Sequence, residues 1–113
     1  MPPAVTSAQD AREHAGRALR EAATEFISAL RLARGMDEAL FDALRTAIID
    51  VGAAWSDSDV LPKGAVNDLV GLFSWIDSSS YFYQGDEAER IRQAAREAEA
   101  MVFRYVVPAP PGE

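Results

Sequence analysis

Residues 36–55, MDEALFDALRTAIIDVGAAW, constrain the fold most. On a helical wheel they set Leu40, Leu44, Ala47, Ile48, Val51 and Trp55 on one side, with Glu38, Asp42, Arg45 and Thr46 opposite. A helix with one such stripe must bury it against other elements, so the rest of the chain has to supply the covering layers.

The remaining periodic segments are also helical. Ser7 reads as an N-cap with Asp10 three residues on, opening a helix over 7–34 whose stripe is small at first (Ala11, Ala15, Ala18) and bulky later (Leu19, Phe26, Leu30). Gly35 is the expected stop and Asp37 the cap of the next helix, which makes a helical hairpin. After the loop SDSDVLPKG, a third helix is expected over 62–76, with Val66, Leu69, Val70, Phe73 and Ile76 inward and Ala65 and Leu72 at the margin. Gly85, Asp86 and Glu89 mark the start of a fourth, over 85–106, burying Ile91, Ala94, Ala98, Met101, Val102 and Tyr105. The expected fold is all-α: a single-domain antiparallel four-helix bundle over 1–113, up-and-down, with flexible tails at 1–6 and 107–113.

The chain has no cysteine, which excludes disulfides, thiolate catalysis and cysteine-based metal sites. No apolar run approaches the roughly 20 residues of a membrane span, and the N-terminus lacks the basic start and apolar core of a signal peptide; a cytoplasmic protein without membrane contact is expected. Ten arginines against the single Lys63, with abundant alanine, point to a GC-rich bacterial or phage genome. The net charge of −7 is unevenly spread along the chain: +1 over residues 1–34, −7 over 35–86 and −1 over 87–113. An acidic centre attracts basic surfaces and repels nucleic acid.

No constellation for catalysis is visible, so no enzyme activity, metal or cofactor is expected. His14 is the lone histidine and has no nucleophile to serve. Asp57 and Asp59 suggest a calcium loop, but the positions that need glycine and glutamate hold Pro62 and Asp68, so the stretch reads as a capping loop. Asp77 falls on the apolar arc of the third helix, and the expected resolution is that the helix stops at Ile76 and Asp77 faces solvent or caps the turn formed by Ser78, Ser79 and Ser80.

The functional signal is misplaced hydrophobicity. Ile49 and Trp75 lie off their helices' apolar stripes, and Tyr81 and Tyr83 follow directly after the third helix. With Asp42, Asp57, Asp59 and Asp68 around them, they read as aromatic anchors in an anionic surface. The expected function is a small acidic module that binds, and inhibits or chaperones, a protein partner with a basic surface, of the physical type of immunity proteins, antitoxins or phage anti-defence inhibitors. A homodimer would use the same face. The alternative is a sensor or carrier domain holding an apolar ligand among Phe26, Phe41, Trp55, Phe73 and Tyr105. Direct nucleic-acid binding is not expected, for want of a basic patch.

Overall fold

A computed structural model describes residues 7–108, with side chains from residue 8. The tail expected at 1–6, and residues 109–113 of the one expected at 107–113, lie outside the described residues. Four helices account for most of the chain: α1 (Ser7–Arg31), α2 (Glu38–Ala54), α3 (Lys63–Ser79) and α4 (Gly85–Met101). A 3₁₀ turn, Ser80–Phe82, follows α3, and a π-helical turn, Val102–Val106, follows α4. The chain is thus an all-α four-helix bundle.

Local chemistry explains most boundaries. Asp37 caps α2, its carboxylate accepting the Leu40 N–H at 3.1 Å. Asp86 and Glu87 sit in the first turn of α4, where negative charge meets the positive end of the helix dipole. α1 ends three residues earlier than expected. Arg34 N–H bonds to Ala29 C=O at 2.9 Å and Ala33 N–H to Leu30 C=O at 3.1 Å, a Schellman closure with Ala33 at its left-handed position (φ 60°), while Gly35, at φ 87°, turns the chain two residues later. The side chain of Ala33 costs roughly 1–2 kcal/mol in that conformation, against about 0.5–1 kcal/mol for the greater freedom of an unfolded glycine. Ala33→Gly should therefore stabilise the protein by about 0.5–1 kcal/mol, read as a higher urea midpoint at unchanged m-value.

α3 overturns the expected stop at Ile76. It continues to Ser79 because the serines bond back onto its own carbonyls: Ser79 Oγ donates to Trp75 C=O and Ser80 Oγ to Asp77 C=O, each at 2.7 Å. Ser79 and Ser80 are thereby buried without an unsatisfied hydroxyl, and Asp77 is a half-buried residue within the helix rather than a turn cap.

The two antiparallel hairpins, α1–α2 and α3–α4, lie side by side with α1 against α3 and α2 against α4. Contacts that run in the same order along both chains show these cross-hairpin neighbours to be parallel: Arg12, Arg20 and Arg31 of α1 meet Asp57, Asp68 and Ser78. Glu38 and Arg45 of α2 likewise meet Arg90 and Glu97 of α4. Among the described residues, every ion pair between different helices, or between a helix and the 55–62 loop, lies on one of these two parallel seams. The hairpins are held by apolar packing. Phe26 and Phe41 stack at 5.2 Å between ring centroids, with Leu19, Leu44, Ile48 and Leu72 fully buried around the same core. Each such side chain contributes roughly 1.5–3 kcal/mol on burial.

α3 presents a different face from the one expected. Ala65, Leu69, Leu72 and Ile76 are buried, whereas Val66 is 41% and Val70 75% exposed. The end of α4 also departs from regularity: Val107 N–H bonds to Val102 C=O at 3.0 Å, five residues back, and this wider turn leaves Phe103 and Tyr105 exposed. Tyr105, expected in the core, is outside it, and Val107, expected in a flexible tail, closes the turn. Gly52 of α2 is the seat of that turn. A Cβ built there would stand 2.2 Å from Tyr105 O, so only glycine lets the two backbones approach this closely.

Candidate functional site

The residues singled out as partner contacts do not form one surface. Trp75 is 39% exposed and lies back along its own helix over Gly71, where a Cβ would meet the indole at 2.6 Å. It borders a cleft of about 500 Å³ between α1 and α3, shared with Arg20, Ile27 and Asp68. Tyr81 is fully outside, beyond the C-terminal end of α3, while Asp57 and Asp59 precede that helix's start. The 17 residues of α3 put roughly 25 Å between these groups. Ile49 and Asp42 are exposed on α2. Tyr83 is half-buried and its hydroxyl is engaged in the fold, donating to Leu30 C=O at 2.7 Å and accepting the Gly35 N–H at 3.0 Å.

The acidic centre is also different in space from what it is along the chain. Asp57 pairs with Arg12 at 2.9 Å, Asp68 with Arg20 at 3.4 Å, and Asp42 with Arg45. Arg45 also binds Glu97 at 2.7 Å and stacks on Phe41, its guanidinium carbon 4.2 Å from the ring centroid. Its pKa is raised, chiefly by the hydrogen bond to Glu97 and further by Asp42, against some desolvation. Glu89 on α4 is held below the usual carboxylate range by hydrogen bonds from Arg92 and then Arg96. Three of the four aspartates expected to supply charge to a partner thus meet arginines of the same chain. Asp59 is exposed and has no ion pair among the described residues.

The geometry instead brings together four residues that the sequence assigned to the core, Val66, Val70, Phe73 and Val102, with Phe103 and with Val107 from the expected tail. Val66, Val70 and Phe73 of α3 face Val102, Phe103 and Val107 across an apolar groove of about 230 Å³, with Glu99 as its one charged lining residue among those described. Val70, Phe103 and Val107 project from its walls, 75%, 61% and 43% exposed. The spacing of Val66, Val70 and Phe73 (i, i+4, i+7) is that of a helix-packing seam, so α3 carries two apolar stripes, and the bundle covers the second only in part, at Phe73. The wide turn after α4 builds the opposite wall.

On the other flank of α3, a second cleft of about 520 Å³ opens between α1 and the start of that helix. Arg12, Arg17 and Arg20 line it, with Trp55 at one end and Gly16 and Gly64 among its walls. Arg12 is fixed three ways: Nε donates to Ala54 C=O at 3.1 Å, Nη2 to Asp57, and the guanidinium carbon lies 4.3 Å from the Trp55 ring centroid.

The five aromatic residues expected around an internal ligand do not share a chamber. Phe26 and Phe41 stack on each other, Trp55 borders the arginine-lined cleft, Phe73 lines the groove and Tyr105 is exposed. No helix among the described residues is long and apolar enough to cross a membrane. Compared with family models, curated proteins and solved structures, the chain finds no match.

Proposed function

We propose that this protein is a protein-binding module whose contact surface is the apolar groove between α3 and the turn after α4. Its partner presents an amphipathic helix with basic residues beside its apolar stripe. The observation that carries this reading is the partly uncovered second stripe of α3, with Val66 and Val70 exposed and faced by Phe103 and Val107. A seam spaced for helix packing takes a helix most readily, and such grooves are read by apolar anchors at the same spacing. Charge selects the kind of helix: Glu99 lines the groove and the chain carries −7, which attracts a basic flank and opposes a second copy of this protein. A module of this kind acts by covering its partner's surface, as an inhibitor or chaperone, and we assign it to the cytoplasm.

Fluorescence titration of a synthetic amphipathic helix with a leucine stripe and lysine flanks tests the assignment. Val70→Glu, and separately Phe103→Glu, should weaken binding at least tenfold with helicity unchanged, because both side chains are already exposed. Glu99→Lys should weaken it less, and the loss should shrink at high salt. Equal binding of wild type and Val70→Glu would sink the reading. So would a stable dimer in sedimentation that Val70→Glu disperses, since the groove's occupant would then be another copy of the chain.

A further inference from the structure

We propose that the cleft between α1 and the start of α3 binds a compact polyanion, a small molecule bearing phosphate or carboxylate groups, between the guanidinium groups of Arg17 and Arg20. In a chain of net charge −7, this cleft gathers three arginines against Glu13 and Asp68. Arg12 is committed to Ala54, Asp57 and Trp55. Arg17 has no hydrogen bond or ion pair among the described residues. Arg20 holds only Asp68, at 3.4 Å, with its own side chain 65% exposed and that of Asp68 14% exposed.

Arg17 and Arg20 are three residues apart on one helix face, so their side chains are neighbours and can meet one anion. Two guanidinium forks so placed offer paired donors to an oxyanion, for which arginine is better shaped than lysine. The space is suited to a ligand. Its volume of about 520 Å³ falls within the ordinary range of roughly 300–1,000 Å³ for small-molecule sites. A Cβ at Gly16 would meet nothing within 4 Å, so the α1 side of the cleft is open down to the backbone, in the middle of a helix that alanine would strengthen. Asp68 is the ligand's competitor: an incoming anion takes Arg20 from it.

Thermal melts of the full chain with sodium pyrophosphate, with citrate, and with sodium chloride at matched ionic strength provide the test, each variant being compared with its own unliganded melt. Pyrophosphate should raise the midpoint by several degrees beyond chloride. Arg17→Gln with Arg20→Gln should weaken the response at least tenfold in concentration, while Asp68→Asn should strengthen it severalfold by removing the competing carboxylate. A citrate response equal to that of pyrophosphate would assign polyanions of either kind, and a pyrophosphate response alone would assign phosphates. No shift beyond chloride, a full response in the double arginine variant, or a weaker one in Asp68→Asn would overturn the proposal.

Discussion

Gly52→Ala is expected to destabilise the protein by about 3 kcal/mol, the upper part of the usual range for overpacking. In a solvated helix interior the same change stabilises by about 1 kcal/mol, so the sign alone is diagnostic. The reason is that the added methyl would meet backbone: Tyr105 O at 2.2 Å and Tyr105 C at 2.8 Å. A crowded side chain can change rotamer, but here either α2 or the whole Val102–Val106 turn must move. In a domain of this size a loss of about 3 kcal/mol lowers the melting midpoint by roughly 10 °C. If the turn lifts off instead, hydrogen exchange at Val106 and Val107 should accelerate, and the groove wall made by Phe103 and Val107 should loosen with it. A neutral or stabilising Gly52→Ala would show that the turn does not rest on α2.

Tyr83→Phe is expected to cost about 2 kcal/mol, although it deletes one oxygen. That oxygen both donates to Leu30 C=O and accepts from Gly35 N–H. Its removal leaves the part-buried Gly35 N–H without its partner in the reversal between α1 and α2, and Leu30 C=O with only the Ala33 N–H; an unsatisfied polar group costs roughly 1–3 kcal/mol. Glu87 supports the same reversal, its carboxylate accepting the Met36 N–H at 2.6 Å, so the connection of the second hairpin and the first turn of α4 clamp the turn of the first hairpin. Tyr81→Phe is the control: Tyr81 is 81% exposed and should change stability by less than about 0.5 kcal/mol. Equal urea midpoints for the two variants would remove Tyr83 from this role. Binding of the basic helix at the groove should be unaltered in Tyr83→Phe under conditions where it remains folded.

The residues read from the sequence as partner contacts are in part exposed, but they lie on different parts of the bundle. The wheel set Ile49 and Trp75 off the core stripe, and both are exposed. It had no access to their separation, to the half-buried hydroxyl role of Tyr83, or to the arginines that meet Asp42, Asp57 and Asp68. Charge summed along a chain ignores what other elements bring to the same place. The groove was hidden for a related reason. Residues 65–76 carry an apolar arc wide enough for two packing seams, and periodicity alone does not say which one faces inward. Gly52 could have been noticed, since a glycine within the strongest helical stripe invites the question of what comes close to it.

Helix number and type, the Asp37 cap and most of the α1, α2 and α4 core were determined by the sequence, because they depend on propensity and 3.6-residue periodicity within a single segment. Tertiary structure alone decided that α1 runs parallel to α3 and α2 to α4, with the ion pairs between elements, among the described residues, confined to those seams. It also decided which stripe of α3 stays uncovered and that α4 opens into a wide turn over Gly52. These outcomes depend on residues more than 40 positions apart meeting across the bundle, and the energy of such a meeting is not written in any one window of the chain.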